Sequence, residues 1–548
     1  MTETFSRLAE SGTAYSSEWY EWRDPEIPAQ LSPTWYLLDK HLETDRADKA
    51  ALVADGVPYT YRELAALVER VTAGLAELGV APGCRLLMVG TDSVEYVALW
   101  LACVRAGVIP VVVSDQVKPG QLAYYLLDVE PAVLYVDAAH LTKLGEAVGE
   151  VGHAPPTVVV RGDATAAGSE LAAARVEPMQ RLTDCAAQPP APVSLHANDI
   201  AYMLYSGSTT GPAKGVTHLA HDFLLVPERQ GAYWEYTESD VVHATSKKFF
   251  THGLWPGVLI PLYWGSTAVV SSDVPSGESV VEIVEKHRPT KLITVPTTVK
   301  AILRYADESG RRPDFSSVGL VVTASEQVPT EIAVRFDELF GLELMDSIGS
   351  SEVTYEWIAN RQRDYRRGTL GRPVFGYEIK LVGADGDEVT EAGVEGEAWV
   401  RSNTACLFYW RKFDASRNTF VGPWTRTGDM LKLTEDGYFQ FVGRRDDLFK
   451  VSGMWVSPLE VEGAIATSPV VHEVAVVGAP DDNGLTKPVA FVVLRGGEDP
   501  TDELADDLRT RVRKVGGYKV PSVVRFVDAL PRTPLMKINR RALRELDS

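Results

Sequence analysis

The run Tyr205-Ser206-Gly207-Ser208-Thr209-Thr210-Gly211-Pro212-Ala213-Lys214-Gly215 has the residue types needed to hold phosphate. Small residues let the backbone fold tightly, so that amide N–H groups converge on an anion. Ser206, Ser208, Thr209 and Thr210 add hydroxyl donors, and Lys214 adds a positive charge. The run does not fit the P-loop pattern Gly-x-x-x-x-Gly-Lys-Ser/Thr. Counting from Gly207 puts Pro212 where the second glycine belongs, and the lysine is followed by Gly215. Taken alone, the run also reads as a flexible surface loop, so the rest of the chain must decide.

The elements that would position such a loop alternate in a βα fashion. Thr60-x-x-Glu63 is a capping-box pattern, and Leu64, Leu67, Val68, Val71, Leu75 and Leu78 recur at helical spacing after it. Residues 86–89 and 110–113 read as buried strands. Further on, 280–287, 297–305 and 330–340 read as helices, and 292–295 and 320–323 as strands. Apolar strands between amphipathic helices imply parallel sheets covered on both faces. The Pro- and Ala-rich stretch 188–192 reads as a linker into the glycine-rich loop. After the charged Gly443-Arg444-Arg445-Asp446-Asp447 a smaller α+β unit is expected, with strands at 474–477 and 489–493 and a helix over 503–515.

Composition narrows the classes. A chain of 548 residues should hold roughly two to four compact units. A net charge of -21 offers no basic face for a nucleic acid. Cys84, Cys103, Cys185 and Cys406 lie far apart, which disfavours a disulfide scaffold or a zinc site. His218 and His221 are spaced like metal ligands, but with no third ligand apparent they read as structural. No stretch approaches the ~18 uninterrupted apolar residues of a membrane span, and the N-terminus has no signal-peptide pattern. The expectation is a soluble, cytoplasmic protein.

Several motifs follow the loop in a fixed order: Lys248-Phe249-Phe250-Thr251-His252-Gly253, Thr323-Ala324-Ser325-Glu326, Asp346-Ser347-Ile348-Gly349-Ser350-Ser351-Glu352 and Thr427-Gly428-Asp429. Then come the segment from Gly443 through Lys450-Val451-Ser452-Gly453 to Glu462, and Pro531-Arg532-Thr533-Pro534-Leu535-Met536-Lys537. Together, from about Thr60 to Arg541, the chain resembles the adenylate-forming superfamily of acyl- and aryl-CoA synthetases, adenylation domains and luciferases. The resemblance implies an α/β fold: a large N-terminal domain of doubly wound sheets, 1–443, and a small mobile α+β C-terminal domain, 444–548, hinged near Asp446.

By the same resemblance the chain makes an acyl-adenylate from a carboxylic acid and ATP, then transfers the acyl group to a thiol. Charge builds on phosphate oxygens, so such a site needs preorganised cations and donors. Lys537 would bridge carboxylate and α-phosphate. Lys214, with Ser206, Gly207, Ser208, Thr209, Thr210 and Gly211, would hold the other phosphates. Glu352 would bind Mg²⁺. Ser325, Glu326, Asp346 and Ser351 would contact the nucleotide, Asp429 its ribose, and Arg444 would support it. Lys450, Ser452 and Gly453 would line the path of the CoA pantetheine. Read singly, Asp429 is a turn residue, Lys537 a surface charge, Glu352 a carboxylate complementing a helix dipole and His252 a core histidine. The ordered series favours the functional roles.

Within the superfamily, Phe249-Phe250-Thr251-His252-Gly253-Leu254 is similar to the Phe-Phe-Ala-Tyr-Gly-Leu of benzoate-CoA ligases and related aryl-CoA ligases. That match implies an acyl pocket of Thr251, His252, Ile348, Gly349 and Tyr355, with His252 and Tyr355 replacing the group's Tyr and His. A hydroxy- or amino-substituted aryl acid, or a bulkier cyclic acid, fits as well as benzoate. The chain departs from the superfamily at Gly207-Ser208, Ala213, Ser325 and Met536. An aromatic or cyclic acid–CoA ligase, monomeric or homodimeric, is expected. The alternatives are an acyl-AMP ligase loading the phosphopantetheine of an acyl carrier protein, and a member performing one half-reaction. A nucleotide-binding subunit with little catalysis is disfavoured by retention of Lys214, Glu352, Asp429 and Lys537.

Overall fold

A computed structural model of the chain describes residues 5–207, 212–325, 328–451, 454–480, 485–532 and 538–547. It divides into two compact units, a larger one within 5–206, 214–379 and 400–425, and a smaller one within 380–399 and 426–547. The architecture is mixed α/β.

The larger unit holds two extended sheets. One runs in the order Lys214–Leu219, Ile200–Ser206, Ile109–Val112, Arg85–Val89, Val133–Asp137, Thr157–Arg161, Arg175–Pro178. All of its neighbours are parallel except the first pair. Its central strands are buried along nearly their whole length, which explains their uninterrupted apolar sequence. The other sheet has a parallel centre of Leu344–Gly349, Leu320–Thr323, Lys291–Thr294, Val241–Ala244, Thr267–Val270 and Ala50–Ala54. Antiparallel strands close both of its edges, Glu356–Ala359 and Arg372–Pro373 on one side and Val57–Thr60 on the other.

Helix periodicity maps onto burial. The helices Gly277–His287, Pro296–Ser309 and Thr330–Phe340 bury Val280, Val284, Val299, Ile302, Leu303 and Phe336 in one cluster with strand residues Leu292, Val321 and Leu344. Helix Tyr61–Glu77 starts with the expected reciprocal cap. Thr60 Oγ1 accepts from the Glu63 amide at 3.1 Å, and Glu63 Oε2 accepts from the Thr60 amide at 2.8 Å. Leu78, read as a face residue, is instead the half-buried C-cap. Residues 188–194, the expected linker, are irregular and lie within the larger unit.

The smaller unit is built on strands Val471–Pro480, Thr486–Leu494 and Val523–Phe526, the first pair antiparallel and the second parallel. Alternation splits their side chains between two cores. Val476, Ala490 and Val492 pack with Val461, Ile465, Leu508 and Val512 of helices Pro458–Ala466 and Asp502–Arg513. Ala475, Val477 and Phe491 pack with Leu530 and with Leu543 of helix Arg540–Asp547. Among the described residues no helix is long and apolar enough to cross a membrane.

Candidate active site

In the larger unit, the strands flanking the glycine-rich run pair antiparallel, with Ser206 opposite Lys214. Ser206 and Lys214 are half-buried and Gly207 is exposed; Ser208, Thr209, Thr210 and Gly211 lie outside the described residues. The segment around 406–410 runs beside the Lys214 strand: the Trp410 amide donates to the Gly215 carbonyl at 2.7 Å and Leu407 to Thr217 at 3.0 Å. This places the Tyr409 ring under the Lys214 ammonium, 4.7 Å from its centroid. The Tyr409 hydroxyl donates to Glu352 Oε1 at 2.9 Å. Lys214, Tyr409 and Glu352 thus form one polar chain.

Strand Leu344–Gly349 supplies the next group. Asp346 is buried and faces Thr323, its register partner on the neighbouring strand. Burial pushes its carboxyl up to about 7, against the lowering effect of the Val328 and Ser347 amides. Ser325 is exposed and holds φ +74°, a left-handed conformation that disfavours a side chain. Ser351 and Glu352 are half-buried in a short 3-10 turn, Ser351–Val353. The Ser351 carbonyl accepts from His218 Nε2 at 2.8 Å. His218 is fully buried, stacks on Tyr202 and meets Asp222 Oδ2 at 3.0 Å. Thr354 ends the turn at φ +82° and ψ -53°, held by a hydrogen bond from its hydroxyl to the Thr404 carbonyl at 2.8 Å. For a β-branched residue this is a strained conformation.

The residues expected around the acid fall into two sets. Thr251 and His252 open helix Thr251–Leu254, which passes into a π-helical turn at Trp255–Leu259. Gly253 is required there, because a Cβ would come within 2.1 Å of the Lys247 carbonyl oxygen. Ile348 and Gly349 end the strand and are half-buried, whereas Tyr355 is buried. The His252 and Tyr355 rings lie 5.8 Å apart. His252 Nε2 is 3.0 Å from the Thr294 carbonyl oxygen and its Nδ1 is 3.1 Å from Glu356 Oε1. Glu356 sits directly across the strand pair from Gly349. Ser350 Oγ, the Tyr355 hydroxyl and Glu356 Oε2 are buried without a hydrogen-bond partner among the described residues.

In the smaller unit, Asp429 and Arg444 face each other on antiparallel strands and form an ion pair of 2.7 Å. Asp429 lies within strand Trp424–Leu433, where Gly428 takes φ +73° and the Thr427 hydroxyl accepts from the Asp429 amide at 3.0 Å. Asp446 lies in the turn from Arg444 to Leu448, and its carbonyl accepts from Arg544. Lys450 is exposed on strand Phe449–Val451. Glu326, Ser452, Gly453 and Lys537 lie outside the described residues.

Residues 38–410 match the model of the AMP-binding enzyme family, and 460–537 that of the AMP-binding enzyme C-terminal domain. The chain belongs to the AMP-binding enzyme family. It is 35% identical over 513 residues to a 4-hydroxybenzoate–CoA/benzoate–CoA ligase of Rhodopseudomonas palustris, covering 93% of each chain. An anthranilate CoA ligase crystallised with anthranoyl-AMP superposes with a TM-score of 0.86 at 33% identity, covering 95% of this chain and 98% of that one. A benzoate CoA ligase from Burkholderia xenovorans gives 0.81 at 31% identity, over 94% and 100%.

Two residues of this AMP-binding enzyme, Tyr409 and Glu356, escape a reading of its sequence. Tyr409 belongs to no motif and reaches Lys214 only through long-range strand pairing. Glu356 stands in an apolar strand, where a lone charge reads as solvent-facing. His218 was read as structural, and its bond to Ser351 gives that part a specific form: it fixes the turn carrying Glu352. Among the described residues no three His, Cys, Asp or Glu are grouped to hold a metal by themselves.

Proposed function

We propose that this enzyme is an AMP-forming acid–CoA ligase. It joins an aromatic or cyclic carboxylic acid to the α-phosphate of ATP with release of pyrophosphate, then passes the acyl group to the thiol of CoA with release of AMP. The observation that carries this is the pairing, within one unit, of a Lys214–Tyr409–Glu352 chain with a buried His252–Tyr355–Glu356 group a few residues further along the same strand-and-turn. The full-length likeness to ligases for benzoate, 4-hydroxybenzoate and anthranilate supports the same class.

In this proposal Lys214 neutralises phosphate charge, and Tyr409 fixes both that ammonium and the Glu352 carboxylate before substrate arrives. A single half-buried carboxylate suits Mg²⁺, which takes one or two carboxylates and completes its shell with substrate phosphates and water. Bound there, Mg²⁺ would neutralise charge on the phosphate oxygens. Asp346, Ser325, Glu326 and Ser351 are assigned to the nucleotide, Asp429 to its ribose and Arg444 to its support. Lys537 is assigned to the reacting carboxylate, Lys450, Ser452 and Gly453 to the pantetheine path, and Asp446 to a hinge between domains 1–443 and 444–548.

Acid-dependent exchange of pyrophosphate into ATP tests the first half-reaction, run with benzoates, cinnamates, cyclic acids and fatty acids and repeated with Lys537→Ala. Exchange with an aryl or cyclic acid that the variant loses is the expected result. Thioester formation with CoA, compared with a phosphopantetheinylated carrier protein, then identifies the acceptor. Absence of exchange with every acid would overturn the proposal.

A further inference from the structure

Glu356 is 2% exposed, yet it spends only one of its two oxygens on the protein. Oε1 meets His252 Nδ1 at 3.1 Å; Oε2 has no partner among the described residues. A buried carboxylate oxygen left unpaired is costly, and an apolar side chain would house an unsubstituted ring better.

Proton accounting fixes what Oε2 can bind. His252 Nε2 lies 3.0 Å from the Thr294 carbonyl oxygen, which can only accept, so Nε2 carries a hydrogen. One further proton then lies between Nδ1 and Oε1. If it rests on Nδ1, Glu356 is a carboxylate and Oε2 accepts. If it rests on Oε1, Oε2 is the carbonyl oxygen of a carboxylic acid and again accepts. In both states the free oxygen asks for a donor.

Position points the same way. Gly349 and Glu356 are register partners, and a Cβ built on Gly349 would approach Oε2 to 2.8 Å. The same Cβ would meet the Tyr355 carbonyl oxygen at 2.6 Å, so position 349 admits only glycine and no side chain from it lies against Oε2. The neighbouring Tyr355 hydroxyl is a second buried polar atom without a partner among the described residues.

We infer that Glu356, positioned by His252, selects an acid whose ring carries a hydrogen-bond-donating substituent, hydroxyl or amino, over the unsubstituted acid. The inference rests on the acid-activating function proposed above. It makes Glu356 a specificity residue that touches substrate and His252 a positioning residue that holds its rotamer. A site built to bond a substrate O–H or N–H discriminates strongly against the analogue lacking it, because its own buried group is then left unpaired.

The experiment measures kcat/KM for pyrophosphate exchange with benzoate and with the 2-, 3- and 4-hydroxy- and amino-benzoates, using wild type, Glu356→Gln, Glu356→Leu and His252→Phe. Wild type should prefer at least one donor-bearing acid over benzoate by on the order of 100-fold or more. Glu356→Gln, nearly isosteric, keeps an acceptor and part of that ratio. Glu356→Leu collapses the ratio by raising benzoate and lowering the substituted acid, and His252→Phe weakens it. A gain with benzoate is a readout that misfolding does not produce. The hydroxy and amino arms show which donor is read. Exchange that proceeds in wild type without donor preference, or a ratio unchanged in Glu356→Leu, overturns this inference alone. Absence of exchange with every benzoate here overturns this inference, and absence with the cinnamates, cyclic acids and fatty acids as well overturns the functional proposal with it.

Discussion

The phenol of Tyr409 donates to Glu352 Oε1 at 2.9 Å. Its ring face also carries the Lys214 ammonium, 4.7 Å from the centroid, so one tyrosine contacts both the cation and the anion. Tyr409→Phe keeps the ring and deletes the hydrogen bond. A bond to a charged group contributes about 1.5–3 kcal/mol, so pyrophosphate exchange should slow by about 10-fold or more and need a higher Mg²⁺ concentration for half-maximal rate. Tyr409→Leu, which also removes the ring, should lower activity further. Unchanged Mg²⁺ dependence in Tyr409→Phe would detach this tyrosine from the metal role given to Glu352.

Asp346 has its carboxyl raised by burial from 3.8 to about 7. A carboxyl raised in the folded state binds its proton more tightly there than in the unfolded chain. Its contribution to stability is therefore fully present below about pH 4 and is lost as pH rises to about 7. Asp346→Asn removes that dependence. Melting temperatures recorded from pH 4 to 8 should show the wild type falling relative to the variant up to about pH 7, then running parallel to it. A difference that stays flat across this range contradicts the assignment.

Ser325 occupies a left-handed conformation at φ +74° without being glycine. Relief of that strain is worth about 1–2 kcal/mol, and the added freedom of glycine in the unfolded chain takes back about 0.4–1 kcal/mol. Ser325→Gly should thus be neutral to modestly stabilising in urea unfolding. A loss above about 1 kcal/mol would mean that the serine side chain makes a contact which outweighs the strain.

His218 links Ser351 to Asp222 through its two ring nitrogens. His218→Phe retains the stacking on Tyr202 but removes the two ring nitrogens that bond the buried Asp222 side chain and the Ser351 carbonyl. Stability should fall by about 2–4 kcal/mol. In the surviving folded protein kcat should drop while the order of preferred acids stays the same, because the ring acts on the turn carrying Glu352. A changed acid preference would place His218 on the other side of the site.

Much of the scaffold was legible from local pattern. The helices at 277–287, 296–309 and 330–340 and the buried strands between them follow from apolar spacing, and the Thr60 cap from two residues three apart. The nucleotide-side candidates rest on an ordered series of motifs, and several of them lie outside the described residues. Tyr409 and Glu356 were not legible, because contacts between distant segments, Tyr409 beside Val216 and Glu356 against His252, and not local pattern, determine what surrounds them. Thr354 was hidden for the opposite reason: local preference argues against a positive φ at a β-branched residue, and tertiary bonds to Thr404 and Asp222 override it.

That strained threonine separates two jobs. Glu352 stands before it and Tyr355 and Glu356 after it, while its own anchors, Thr404 and Asp222, belong to neither group. In the proposed assignment the pivot is held independently of the acid, and substitutions at 355 and 356 would retune which acid is chosen without disturbing the carboxylate assigned to the metal. Selection acting on this short stretch could diversify the choice of acid while the energy-supplying half of the reaction is inherited intact.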